Sequence, residues 1–303
     1  MRKMTGLIKR NLLIYFKDKS SVFFSMLTPI LVFILYILFL KGTFVDGIKN
    51  VATGLENFID SKDIEAIANG VLLAGILGTT LITVPFNTLT TLVKDKENNV
   101  DLDITATPMK RFSIVFSYFV ASTISAFLMT GLVFLAGLLI MAKVDGTTLL
   151  TTSVIKLLGL ILLGSASSTS LFMILMIFFK SSGASAAFMG LLSAAAGFVI
   201  GAYIPLSSFS ENMESVCNLF PATQLTVLIK KVILTGTLEG INDKIGGIDN
   251  GAFLEGIKNA FSLNARIFGN TCSGTWSLAY IFGMIILSVI AIGILYPKVY
   301  QRK

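Results

Sequence analysis

Six stretches of this chain carry no charged residue and are long enough, or nearly so, to cross a lipid bilayer: 20–40, 69–93, 112–142, 157–179, 181–210 and 267–297. A span needs about 20 mainly apolar residues to cover roughly 30 Å of hydrocarbon. Each Lys, Arg or Asp left out of a helix centre spares about 2.5–3.5 kcal/mol. Charged residues make up 14% of the 303 and hydrophobic residues 54%, against about 25% charged in a soluble domain. The runs are continuous and rich in Leu, Ile, Phe and Ala, so they do not show the alternation of barrel strands. The reading is an all-α integral membrane protein. A single transmembrane domain is expected over 1–303, with six transmembrane helices at about 20–40, 70–93, 112–141, 157–179, 183–204 and 275–297. The first run is too long, and starts too far into the chain, for a cleaved signal.

The net charge of +7 does not mark a nucleic-acid binder, because the cations lie between the spans and not on one polar face. They report topology instead. Residues 1–19 hold Arg2, Lys3, Lys9, Arg10, Lys17 and Lys19; later segments hold Lys94, Lys96, Lys110, Arg111, Lys180, Lys298, Arg302 and Lys303. With six spans all of these fall on one side, which the positive-inside rule makes cytoplasmic. Both termini are then expected in the cytoplasm of a cell, most simply a bacterial one. Loops at 41–68 and 205–274 are expected outside.

Within 1–19, Met4, Leu7, Ile8, Leu12, Tyr15 and Phe16 form a helical apolar stripe, with Lys9, Arg10 and Lys17 on other faces. This predicts an interfacial helix whose cations meet anionic lipid heads. The second span carries many hydroxyls, Pro85 and Asn87. Pro85 should kink it. Its polar residues either bond back to their own helix or line a polar pathway, with Thr83, Phe86, Asn87 and Thr90 as the pathway candidates. The run Ser165-Ala-Ser-Ser-Thr-Ser170 in the fourth span is either helix–helix glue or a cavity wall. The fifth span is rich in small residues, and Gly197 to Gly201 with Ser193 form a close-packing motif. It serves either one subunit or a subunit interface. In the outer segment, 215–229 is apolar but too short to span and contains Pro221, which suits a re-entrant pair of half-helices. Residues 235–250, rich in Gly, Asn and Asp, read as a surface excursion, and 252–267 as a short amphipathic helix. Cys217 and Cys272 fall on the same side, as a possible disulfide or two free thiols.

The chain has no His and no Gly-x-x-x-x-Gly-Lys-Ser/Thr loop, so it offers no ATP site of that kind. No span carries a lone carboxylate or Arg, which speaks against a self-powered carrier. Lys156 at the mouth of the fourth span reads as snorkelling to the interface. No catalytic constellation lies within the spans, and no enzyme activity, cofactor or metal site is expected on the chain.

The cytoplasmic link after the second span is the most informative segment. Glu97, Val100-Asp101-Leu102, Ala106-Thr107-Pro108 and Arg111 resemble the E-x-G-T-L-E-x-L-x-x-T-P-x-x-R segment of ABC-2-type permeases, the membrane subunits of type V-like ABC exporters. The resemblance extends over the chain, through Tyr203-Ile-Pro-Leu-Ser-Ser-Phe and Asn218-Leu-Phe-Pro-Ala-Thr. Asn98-Asn99 stand where the family has Gly-Thr. The resemblance implies that Val100, Asp101, Leu102, Asp103, Ile104, Thr107, Pro108, Lys110 and Arg111 form a coupling helix. That helix would seat on a separate ATPase, present in two copies, which holds the ATP and Mg. It implies pairing with a second permease chain, identical or related, through the first and fifth spans, where Ser193, Gly197 and Gly201 fall. The expected function is ATP-driven export of a hydrophobic drug, antimicrobial peptide or lipid across the cytoplasmic membrane. The alternatives are a glycan-exporting permease of the same family and a non-transporting membrane partner.

Overall fold

A helix of 37 residues, α4 (Ser61–Glu97), forms the axis of the molecule. At 1.5 Å per residue it is about 55 Å long, so it overshoots the hydrocarbon and carries its charged last turn clear of it. The computed structural model describes residues 2–144 and 151–299. In order come α1 (Arg2–Lys17), α2 (Lys19–Leu35), a π turn (Tyr36–Leu40), α3 (Lys41–Val51), α4, α5 (Val100–Ala106), α6 (Arg111–Val144), α7 (Thr151–Met176) and α8 (Ser182–Val199). Then follow α9 (Glu211–Asn218), α10 (Pro221–Ile245), α11 (Ala252–Ala260), the two-residue strands β1 (Arg266–Ile267) and β2 (Asn270–Thr271), and α12 (Gly274–Val299).

Among the described residues, six helical segments are long and apolar enough to cross a membrane: Lys19–Val51, Ser61–Glu97, Arg111–Ala142, Thr151–Met176, Ser182–Val199 and Gly274–Val299. Burial sorts them. The apolar stretch of α4 is 83% buried, whereas those of α2, α6, α8 and α12 are 17–28% buried. α4 is therefore the core, with α2, α6, α7, α8 and α10 packed around it. Outer helices turn residues such as Phe23, Phe39, Leu132, Leu139, Leu191 and Leu287 outward, an apolar belt that suits lipid contact. Small residues let the neighbours close on α4: a methyl group at Gly78 would overlap the Thr226 side chain of α10.

At the Ser61 end of α4 a second core gathers Tyr36, Phe44, Ile48, Ile67, Ile241 and Ile257. Two expected loops are helical here. Residues 41–51 continue the first span as α3, because Phe44 and Ile48 bury against α11, Phe44 meeting the Phe261 ring edge-on at 5.8 Å. Residues 235–245 are not a surface excursion but the second half of α10. Leu234, Leu238, Ile241 and Ile245 form a buried helical stripe, while Gly236 and Gly240 lie on the exposed face. The helix stops at Gly246, whose φ of +64° is a left-handed cap. The amphipathic helix expected over 252–267 ends at Ala260; Ser262 then takes φ +51°, and β1 and β2 form a hairpin turned by Phe268 and Gly269, both at positive φ.

The chain bends by 93° between α9 and α10, with Pro221 at the first turn of α10, where its missing N–H costs nothing. The corner is tied on several sides. Gln224 donates to the Asn218 carbonyl (2.8 Å) and accepts from Ser277 of α12 (2.6 Å); Asn218 donates to the Arg266 carbonyl (2.9 Å); Thr223 donates to the Val199 carbonyl of α8 (3.1 Å).

Candidate coupling and translocation site

The last turn of α4, Lys94-Asp95-Lys96-Glu97, leads directly into α5, and each of its four residues grips a different part of the molecule. Lys94 Nζ donates to Asp18 Oδ2 at 3.0 Å, reaching the α1–α2 junction. Asp95 takes both arms of Arg10 in α1 at 2.7 Å each and accepts the hydroxyl of Tyr118 in α6. Lys96 Nζ donates to the Ile177 carbonyl just past α7 at 3.1 Å. Glu97 accepts the Ser182 backbone N–H at the start of α8 at 3.0 Å. Successive residues on a helix point about 100° apart, which is why four neighbours reach four elements.

Two sequence expectations change here. Arg10 does not face lipid heads; it is spent inside the protein on a fork-to-fork carboxylate pair, the geometry that suits guanidinium best. Asp95 is not a loop residue but a nearly buried one, 6% exposed. A buried charge is tolerated when paired and hydrogen-bonded, and the Arg10 and Tyr118 contacts supply that. Asp18 is the N-cap of α2, accepting from the Ser21 N–H (3.1 Å) and hydroxyl (2.7 Å). The Ser21 hydrogen bonds first, with Lys94 alongside, pull its carboxyl down to about 2.

α5 stands at this same end. Asn99 opens it at φ +59°, a left-handed setting that Asn tolerates better than most residues. Ile104, and Met109 beyond it, pack on the main core. Leu102, 46% exposed, points away from the protein, and Asp103, Thr107, Pro108, Lys110 and Arg111 are exposed beside it. Val100 and Asp101 are half-buried, and Asp101 Oδ1 is enclosed without a hydrogen-bond partner among the described residues. Of the nine predicted coupling residues, the outward surface is thus Leu102, Asp103, Thr107, Pro108, Lys110 and Arg111. Arg111 also donates to the Pro297 carbonyl at 3.3 Å, fixing the end of α12 nearby.

A cavity of about 760 Å³ opens between α2, α4 and α8. Its walls include Thr28, Leu31, Asn87, Thr90, Met189 and Ser193, and Asp18 and Lys94 stand at its α5 end. The four pathway candidates divide. Asn87 and Thr90 line the cavity, and the Asn87 amide nitrogen has no partner among the described residues. Thr83 and Phe86 do not line it. Thr83 is fully buried, donating to the Ser25 carbonyl of α2 at 2.9 Å, and Phe86 is locked among the rings of Phe172, Phe179 and Phe188. Position on a threonine-rich helix does not say which face looks into space. α4 passes Pro85 as one continuous helix.

The close-packing motif is used internally. Gly197 is covered by the Tyr203 ring of its own chain. Gly201 lies beyond α8 at φ +69°; its N–H meets the Phe198 carbonyl (3.1 Å), and Ala202 N–H the Gly197 carbonyl (2.8 Å). That is the double hydrogen bond of a Schellman cap, so the second glycine ends the helix instead of extending its face. Ser193 opens to the cavity. In α7, Ser165 and Ser170 bond back to their own helix, and Ser167, Ser168 and Thr169 have no partner among the described residues. Cys217 and Cys272 are free thiols, the first buried and the second half-exposed. Lys230 was not singled out from the sequence: it is buried and donates to the Phe261 carbonyl at 2.8 Å. Its position at the end of an apolar run was the only hint.

The family model described as ABC-2 family transporter protein matches residues 49–296. No curated protein and no solved structure matches the chain. The chain belongs to the ABC-2 transporter family, as a multi-pass membrane permease. Membership implies association with an ABC ATPase subunit.

Proposed function

We propose that this permease is half of the membrane path of an ATP-driven exporter. The observation that carries the reading is the α4–α5 junction. The short helix α5, with Leu102 and Asp103 exposed on it and Lys110 and Arg111 exposed just beyond it, follows a helical turn that holds α1, α2, α6, α7 and α8. Force applied to α5 by an ATPase reaches five helices at once, including both that flank the cavity.

The α5 end is assigned to the cytoplasm, with α1 and the end of α12 beside it, and the α3–α11 end to the outside of the cell membrane. Two ATPase copies dock one on each α5 of a permease pair, and ATP and Mg reside on them. The pair forms across the α2–α8 face, so that two half-cavities join. A wall of Phe24, Leu27, Leu31 and Met189 interrupted by Asn87, Thr90 and Ser193 suits an amphipathic cargo: a hydrophobic drug, antimicrobial peptide or lipid.

The test is co-purification with the cognate ABC ATPase and measurement of hydrolysis against drugs, peptides and lipids. L102D together with D103K should abolish ATPase association and stimulated hydrolysis, because both side chains are exposed and the fold does not need them. An intact, normally stimulated complex would refute the α5 assignment. Asn87→Ala should instead leave association intact and change which cargo stimulates hydrolysis.

A further inference from the structure

A second groove, of about 610 Å³, lies at the end of the bundle away from α5, between α7, α10 and α12. Its walls are apolar, with Leu163, Leu228, Leu278 and Phe282 from three helices. Among the described residues, two lysines, Lys156 and Lys231, line it and no carboxylate does. Lys156 has no ion-pair or hydrogen-bond partner among the described residues. Among the described residues, the Lys231 ammonium reaches only Asn264 Oδ1, at 3.5 Å. Close by on α12, Trp276 stacks on Tyr280 with centroids 5.3 Å apart, and Trp276 is 44% exposed. An exposed Trp–Tyr pair at the start of a span marks the headgroup level. The lysines therefore stand where lipid phosphates lie, above a slot that runs toward the acyl region.

We propose that this groove holds one anionic phospholipid of the surrounding bilayer, its phosphate between Lys156 and Lys231 and an acyl chain along Leu163, Leu228 and Phe282. Two ammonium groups, with no carboxylate beside them among the described residues, favour a net negative headgroup. A zwitterionic lipid would bring its own cation against them. The groove is formed by helices other than α2 and α8, so a permease pair joined through those two leaves it open to lipid.

The test uses the full chain in nanodiscs containing phosphatidylglycerol and phosphatidylcholine, with retained lipids counted by native mass spectrometry. The wild type should hold one phosphatidylglycerol in preference to phosphatidylcholine, with the preference falling about fivefold for each of K156Q and K231Q. Gly159→Leu keeps both lysines but fills the groove: a side chain there meets nothing within 4 Å of its first carbon. This variant should lose the retained lipid altogether. Equal retention of the two lipids, or undiminished phosphatidylglycerol on the K156Q/K231Q double variant, overturns the proposal. So does displacement by soluble glycerophosphate at concentrations comparable to the lipid, which would mean that an anion alone is bound.

Discussion

Arg10 and Asp95 are 85 positions apart and meet through two 2.7 Å hydrogen bonds. Nothing local in the sequence announces such a pair: each sits among other charges, and only the packing of α1 on α4 and α6 selects these two. Asp95→Ala would leave Arg10 half-buried without its carboxylate and Tyr118 without its acceptor. A loss of about 2–4 kcal/mol is expected, measurable as a lower unfolding temperature in detergent. Arg10→Met with Asp95→Leu should recover much of it, and the double-mutant cycle gives the coupling directly. Asp18 makes a pH prediction. Its folded-state value is depressed to about 2, against about 3.9 for a free Asp. The stabilisation is thus complete above pH ~4 and lost as pH falls from ~4 to ~2. Since the Asp18 side chain is still 31% exposed to solvent, the gap in stability between wild type and D18N should be only about 0.5–1 kcal/mol at neutral pH, closing in that acid window.

At the scale of elements, charge depletion was sufficient to locate the six long helices, because a bilayer penalises each charge heavily and independently. The motif-bearing link was also legible, but the helix expected over Val100–Arg111 is shorter: α5 ends at Ala106, Thr107 turns extended before Pro108, and Arg111 already begins α6. What failed were helices that bury against protein instead of lipid. α3 and the second half of α10 carry Lys, Asp and Gly on faces turned to water, so their composition reads as loop until their partners are known. The Gly197–Gly201 spacing misled for a related reason: spacing alone does not distinguish a helix face from a helix end. Gly201→Ala forces a side chain into the left-handed region beside Leu206. It should cost about 1–2 kcal/mol and show as faster proteolysis after α8, whereas Gly190→Ala, in open space, should be neutral.

The whole molecule has two ends of different character, joined by α4. At one end the last turn of α4 ties its neighbours through charges; the other is a cap with an aromatic and aliphatic core, rimmed by ion pairs such as Lys41–Glu65 and Lys244–Asp63. The half-exposed Cys272 belongs to the cap end and the buried Cys217 to the corner beneath it. A membrane-impermeant maleimide added to intact cells should therefore label Cys272 and spare Cys217, while a C272S variant should go unlabelled. Labelling only after the membrane is permeabilised would reverse the assigned orientation. Of the candidate pathway, the sequence conveyed which helix borders it but not which side of that helix does. Asn87 and Thr90 differ from Thr83 and Phe86 only by where α2 and α8 happen to stand.

The four-way grip of Lys94, Asp95, Lys96 and Glu97 also constrains how this region can change over evolutionary time. Substituting one of the four removes one tether and leaves three. Deleting or inserting a single residue among them is a different event: it turns everything beyond by about 100°, so that several side chains face the wrong neighbour together. Divergence in this stretch should therefore proceed by replacement at fixed length, while length changes collect in the cap-end connections, where no such register has to be kept.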